Sequence, residues 1–306
     1  RGLGDVYKRQ AQRLIVNSDS AFENILVVGL GLIGGSVLQT LKSQSYPGNT
    51  YGIDSNSSAI SKAKEMSLIV NKDQNIETDL ENVLVIFSVP TLSITKAIDD
   101  LNLSSEDILY TDTCSVKSSV LKDINSRDPK FLNKFILSHP IAGSEKSGLV
   151  ASTPSLYDKR LTIVCPHERN EEDDIKKIEA FWNNLGSVTK RLPANNHDEL
   201  FAKTSHLPHV ISYALMDSIF KDLSDETFLC SGGSLESYTR IASSDPLMWK
   251  DIMIANEEAI VESIENFKES LDILLEMIKK KDSQELINFF TDIKKSRDEL
   301  LSDDKH

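Results

Sequence analysis

The sequence predicts an α/β fold, a doubly wound and mostly parallel sheet, followed by an all-helical C-terminal domain. Three observations carry this expectation. Short, continuously apolar, β-branched runs alternate with helical patterns from Ile25 to Leu192. A glycine-rich turn comes directly after the first of these runs. After Leu192 the strand pattern stops, and nearly everything from Ala194 onward reads as helix.

The runs are Ile25–Val28, Tyr51–Ile53, Val83–Val89, Ile108–Thr111, Phe135–Leu137, Leu161–Cys165 and Val188–Leu192. Their unbroken apolarity fits strands covered on both faces. Helices are expected at Ile33–Lys42, Ser57–Glu65, Leu92–Asp100, Val116–Asn125 and Glu171–Leu185, between the strands. Residues 1–20 share no periodicity with the rest of the chain and read as a frayed or non-native tail. The domains are therefore placed at 21–192 for the sheet and 193–306 for the helices. In the helical half, Ile260, Ile264, Phe267, Leu271, Leu274 and Ile278 recur at spacings of four and three. That apolar seam suits first a helix packed in its own core, and second one that also packs against a second subunit.

A chain of 306 residues can bury a sizeable core and suits two domains. Its 47 acidic and 34 basic residues give a formal net charge of −13. That argues against nucleic acid or an anionic membrane as partner, though a local arginine can still hold an acidic small molecule. No apolar run is long enough to span a bilayer, and residues 1–20 lack the apolar core of a signal peptide. The three cysteines, Cys114, Cys165 and Cys230, show no metal or disulfide spacing. A reduced, cytoplasmic setting is expected. His206 and His209 lie three apart, but no third ligand accompanies them, and no metal is expected.

Residues Gly29–Ser36 read GLGLIGGS. Gly29 permits the tight turn, Gly31 lets the backbone approach a pyrophosphate, and Gly34 lets helix and strand pack closely. The helix opening at Leu32 and Ile33 offers unpaired N–H groups and its positive end to phosphates. Asp54 ends the next run, twenty positions after Gly34, where an acid accepts hydrogen bonds from the adenosine ribose and repels a 2′-phosphate. The domain is therefore Rossmann-like, with NAD rather than NADP as the expected cofactor. Ser88 and Pro90 end the third run at the sheet's carboxyl edge, on the nicotinamide side; Pro90 alone is equally a plain strand stop.

A second constellation gathers at the next two strand ends. LYTDTCSVKSS presents Asp112, beside the cofactor, and Ser115; ILSHPIAGSEKSG presents His139. Adjacent strand ends lie about 5 Å apart, so Ser115 is expected to hydrogen-bond His139 and fix its tautomer. A neutral histidine there can serve as base toward a substrate hydroxyl. The pair His197-Asp198 suggests a metal in the same way as His206 and His209, but a helix cap by Asn195 or Asn196 with a first-turn acid explains it as well.

GLGLIGGS, YGID, TDTCSVK, SHPIAGSEKSG, HDELFAKTSHLPHVISYAL and SYTRIASSDPLMWKDI, in that order, resemble the prephenate dehydrogenases of the TyrA family, which includes arogenate and cyclohexadienyl dehydrogenases. The resemblance runs from about Asn24 to about Lys281. It implies a dinucleotide-binding domain, a helical domain that forms a homodimer, and NAD-dependent oxidative decarboxylation of prephenate to 4-hydroxyphenylpyruvate in tyrosine biosynthesis. Arogenate or dual specificity is the alternative, and a non-catalytic NAD-binding sensor the bland one. Carried over by position, His139 takes the proton of the ring C4 hydroxyl and Ser115 orients it. Arg240 binds a substrate carboxylate, His206 lies near the substrate, and Ser144, Glu145 and Lys146 line or gate the pocket. The stretch CSGGSL at Cys230–Leu235 departs from the family's usual three glycines and aromatic. No fused mutase or regulatory ACT domain is expected.

Overall fold

The computed structural model describes residues 22–71, 80–101, 103, 107–143, 146–222 and 232–301. Its sheet has seven strands: β1 (Asn24–Val28), β2 (Asn49–Ile53), β3 (Val83–Phe87), β4 (Ile108–Asp112), β5 (Phe135–Pro140), β6 (Leu161–Cys165) and β7 (Val188–Arg191). They lie in the order β2-β1-β3-β4-β5-β6-β7. Every pairing is parallel except β5 with β6, which is antiparallel.

Strand order and side-chain alternation explain the two buried layers. All of β1 is buried, with Ile25 and Val27 in one apolar cluster and Leu26 and Val28 in the other. The first cluster takes Val37, Leu38 and Leu41 of α1 (Leu32–Ser43), Ile60 and Ala63 of α2 (Ser57–Glu65), and Ile178 and Trp182 of a later helix, Glu172–Asn184. The second takes Ile94 and Ile98 of α3 (Ile94–Asp99), Val120 and Ile124 of α4 (Lys117–Asn125) and Leu132 of α5 (Pro129–Asn133). With Glu172–Asn184 as α6, the second face is completed by Phe201 of α7 (Ala194–Phe201). Helices thus cover both faces, as the unbroken apolar strands require. The sheet reverses its direction of growth between β1 and β3, which places a ligand crevice at their carboxyl ends.

A π-helical segment, Ala202–His206, joins α7 to α8 (Leu207–Asp222). Pro208 lies two residues beyond its end. It has no N–H to donate, and its ring crowds the carbonyl four residues back, so the preceding turn widens. The widened turn carries His206. Next come α9 (Gly233–Thr239), a 3₁₀ turn Arg240–Ser243 and α10 (Pro246–Ala255), whose N-cap Asp245 accepts from the N–H groups of Leu247 and Met248.

The chain divides into two compact units after Glu257. The second begins at Glu258 and holds the rest of α11 (Glu257–Lys280) and α12 (Ser283–Leu300). On α11 the seam residues Leu271 and Ile278 are exposed, as are Ile287, Phe290 and Ile293 on α12. Among the described residues no helix is long and apolar enough to cross a membrane.

Candidate active site

The first glycine loop sits at the β1–β3 crevice, and each glycine has its own steric reason. Gly29 has φ +100°, and a Cβ there would lie 2.2 Å from the Ser88 carbonyl oxygen. A Cβ on Gly34 would lie 2.1 Å from the Gly29 carbonyl oxygen. A Cβ on Gly31, by contrast, would meet nothing within 4 Å. That is the open space a pyrophosphate needs. Gly31 is also the N-cap of α1 and supplies no side-chain hydrogen bond, so the first N–H groups of Leu32 and Ile33 are left for an anion.

Beside this loop lies a groove of about 520 Å³ lined by Leu30, Gly31, Asp54, Asn56, Lys62 and Val150, among others. Asp54 Oδ2 accepts from the Leu30 N–H at 2.7 Å and Oδ1 from the Asn56 N–H at 2.7 Å. The carboxylate therefore braces the glycine turn while lining the groove. Loop, helix start and acid lie together and fit a dinucleotide. Ser88 comes directly after β3 and accepts from the Thr113 hydroxyl at 3.1 Å. Pro90 caps a 3₁₀ turn, Thr91–Ser93.

Asp112 does not point at this crevice. Its side chain is fully buried in an ion pair with Lys117, itself fully buried. The same carboxylate accepts from the N–H groups of Cys114 at 3.0 Å and Ser138 at 3.1 Å. With its oxygens engaged inside the sheet, Asp112 is a structural anchor rather than the cofactor contact expected from its position at the strand end. Lys117 Nζ also donates to the Ser138 carbonyl at 2.7 Å. The residue before His139 is thereby tied down from two sides.

His139 lies near the end of β5, and its ring is only partly exposed. Its Nδ1 is 2.8 Å from Nε2 of His197 on α7, and His197 Nδ1 is 2.7 Å from Asp198 Oδ1. Among the described residues no hydrogen bond joins Ser115 to His139. The expected partner is replaced, and the register shows why. β4 stops at Asp112, whereas β5 continues to Pro140 and pairs His139 with Ile163 of β6. The histidine thus stands beyond the β4 edge, where its nearer neighbour is α7. Burial comes first in pulling the His139 imidazole well below its ordinary value; the neighbouring His197 and Lys117 add to it. The ring is neutral at pH 7.

Asp198 has further duties. Its Oδ1 accepts from the Lys117 N–H at 2.8 Å and its Oδ2 from the Ser118 N–H at 2.7 Å. Val116, the N-cap of α4, has no capping side chain, so Asp198 reaches across from α7 to cap that helix. Burial alone would raise the Asp198 carboxyl. The hydrogen bonds from His197 and from the first turn of α4 outweigh burial and hold the carboxyl below the ordinary aspartate value.

His206 is buried, and burial pulls its imidazole down to about 4. The Asn256 side-chain amide nitrogen lies 3.1 Å from His206 Nδ1 and also donates to the Asp198 backbone carbonyl at 3.0 Å. The Ser205 carbonyl lies 3.0 Å from His209 Nδ1, and the His209 ring stacks on buried Trp249 with centroids 3.6 Å apart. Since a carbonyl only accepts, Nδ1 of His209 carries the proton. Arg240 acts electrostatically on His209. Ser144 and Glu145 lie outside the described residues, as do residues 1–20 and Cys230 of the CSGGSL stretch. Among the described residues no group of three His, Cys, Asp or Glu could hold a metal ion.

Asn256 and the His197–Asp198 pair are partners of the site that the sequence does not announce. The one available signal is an adjacent His-Asp pair in a chain already carrying a base candidate. Neighbours at i,i+1 on a helix do not normally face each other.

Comparison with known proteins identifies the family. The family profile described as "Prephenate dehydrogenase, nucleotide-binding domain" matches residues 37–190, and "Prephenate dehydrogenase, dimerization domain" matches residues 193–292. A cyclohexadienyl dehydrogenase of Zymomonas mobilis is 30% identical over 93% of this chain and 98% of its own length. A prephenate dehydrogenase of Lactococcus lactis is 31% identical over 90% of this chain and 77% of its own. The crystal structure of prephenate dehydrogenase from A. aeolicus, in complex with hydroxyphenyl propionate and NAD+, has a TM-score of 0.84 and 33% identity, covering 92% of this chain and 99% of that one. Motifs, fold and relatives converge, and the chain belongs to the prephenate dehydrogenase family.

Proposed function

We propose that this protein catalyses the NAD-dependent oxidative decarboxylation of prephenate to 4-hydroxyphenylpyruvate. The observation that carries the reading is His139: a neutral imidazole, fixed at Nδ1, at the carboxyl edge of a sheet whose glycine loop suits a dinucleotide. NAD, when bound, takes up the hydride that leaves the ring C4. The residues of this chain do the rest. His139 accepts the proton of the C4 hydroxyl, while loss of carbon dioxide leaves the ring aromatic. Positioning and polarisation of one O–H bond are all the protein must supply. Gly29, Gly31, Gly34 and the Leu32–Ile33 amides would hold the pyrophosphate, Asp54 the adenosine ribose, and Ser88 and Pro90 would flank the nicotinamide.

Ser115, half-buried at the adjacent strand end, is the candidate to touch the same hydroxyl from the substrate side. Arg240 offers a planar fork for a substrate carboxylate, which lysine does not replace. His206 serves the substrate as a neutral group, and Ser144 and Glu145 are the candidates to line or gate the pocket. The exposed apolar seams of α11 and α12 support a homodimer through the C-terminal helices, which sedimentation velocity reads directly. The two buried free cysteines, Cys114 and Cys165, suit a reduced cytoplasmic setting.

NADH formation with prephenate tests the reading. His139→Asn is expected to lower kcat by about 10²–10⁴ while NAD still binds; an unchanged kcat would remove His139 from the chemistry. The likeness to the Z. mobilis cyclohexadienyl dehydrogenase favours a second reading, in which arogenate is also turned over. The same assay with arogenate separates the two.

A further inference from the structure

We propose that Asp198 sets the proton positions on both histidines of the site, so that His139 presents a bare Nε2 as acceptor and His206 a protonated Nε2 as donor. Two chains of hydrogen bonds run outward from this residue. Asp198 is buried, accepts two backbone N–H bonds from the first turn of α4, and is ionised. An ionised carboxylate only accepts, so the 2.7 Å contact to His197 places the proton on His197 Nδ1. Neutral His197 then has an acceptor at Nε2. The 2.8 Å contact to His139 therefore places a proton on His139 Nδ1, and its Nε2 is left bare.

The second branch starts at the backbone of the same residue. The Asp198 carbonyl accepts from the Asn256 side chain, which identifies that atom as the amide nitrogen rather than the oxygen. The same nitrogen donates its other proton to His206 Nδ1. Neutral His206 must then carry its single proton on Nε2. Two histidines are thereby given opposite polarity from one origin. One is fitted to take a hydroxyl proton, the other to donate to a carboxylate or keto oxygen. His197, Asp198 and Asn256 are positioning residues. Their effect on turnover rests on His139 being the base proposed above.

Two experiments test this, and the first does not depend on catalysis. In protein with ¹⁵N-labelled histidine, long-range ¹⁵N–¹H correlation spectra report which ring nitrogen is protonated. His139→Gln and His206→Gln variants assign the signals. The expected pattern is Nδ1–H on His139 and Nε2–H on His206; the reverse pattern at either ring overturns the proposal. In Asp198→Asn the side-chain amide can donate to His197 Nδ1, and the His139 proton is expected to move to Nε2. In a catalytic triad of the same logic, such a wrong tautomer costs about 10⁴ in kcat.

Asp198→Asn also weakens the cap of α4, so His197 provides the second set. His197→Gln keeps an amide oxygen able to accept from His139 Nδ1, whereas His197→Phe keeps only the ring shape. The expected order of kcat is wild type, then Gln, then Phe, with the KM for NAD within about twofold throughout. A merely space-filling role gives the opposite order, Phe above Gln, and would overturn the proposal. Should His139→Asn retain full kcat while the tautomers are as stated, the base assignment fails and the proton arrangement stands.

Discussion

Replacing Lys117 by methionine removes one half of a fully buried ion pair. Lys117 and Asp112 are both inaccessible to solvent, and the ammonium also donates to the Ser138 carbonyl at 2.7 Å. Methionine fills similar volume, so the cavity left is small. What remains is a carboxylate held by two backbone N–H groups, at 3.0 Å and 3.1 Å, with its counter-charge gone. Orphaning one member of such a pair costs about 3–5 kcal/mol. Against a total stability of about 5–15 kcal/mol this is a large fraction. Urea denaturation followed by tryptophan fluorescence measures it well, because Trp182 lies in the same unit and its indole N–H donates to the Ser138 hydroxyl at 3.1 Å. The double variant Asp112→Asn/Lys117→Met deletes the orphaned charge and is expected to recover part of the loss. A loss under about 1 kcal/mol in the single variant would refute the reasoning. So would a double variant no more stable than the single one.

Asp54→Ser removes both the proposed ribose acceptor and the brace on the Leu30 N–H. It is expected to raise the KM for NAD at least tenfold and to narrow the preference over NADP; an unaltered preference would sink the ribose assignment. Arg240→Gln is expected to raise the KM for prephenate more than it lowers kcat, read in steady-state kinetics, and an unaltered KM counts against carboxylate binding. Stability should fall on acidification because of His206. Unfolded histidine takes up a proton below about 6.5, whereas folded His206 does so only near 4. The unfolded state therefore binds more protons in that window, and stability drops as pH falls, by about 2 kcal/mol between pH 7.5 and pH 5. His206→Gln should remove that share of the pH dependence in parallel urea titrations; an identical slope would refute it.

The sheet was legible because parallel strands covered on both faces leave an unmistakable trace: runs such as Val83–Phe87 with no polar interruption. Direction was not. β6 carries the same kind of apolar run as β1, yet it lies antiparallel to β5. The sign available was the connection from Ile141 to Arg160, which holds only a short 3₁₀ turn, Leu149–Ala151, and no crossover helix among its described residues. Helix α5 is too short to show a period, although Asp128 before Pro129 is a cap followed by a proline at the first helical position. The glycine loop and Asp54 could be placed from spacing because their geometry is local. Ser115 could not. Its distance from His139 depends on where β4 ends relative to β5, and that stagger is set by tertiary packing.

The first turn of α4 shows how the buried charges serve the site. Lys117 uses its side chain to hold Asp112 and the Ser138 carbonyl, and its backbone N–H to hold the Asp198 carboxylate. One residue thus ties the strand that carries His139 to the helix that carries His197. The imidazole contact of 2.8 Å depends on both ties. A buried ion pair is a weak source of stability, since an apolar pair of the same volume often does as well. It is a good source of orientation, because a charged donor and a carboxylate tolerate little displacement. The stability recovered in Asp112→Asn/Lys117→Met should therefore not restore turnover. If kcat returned together with stability in that double variant, the pair would be needed only to keep the chain folded, and its part in aligning the two histidines would be excluded.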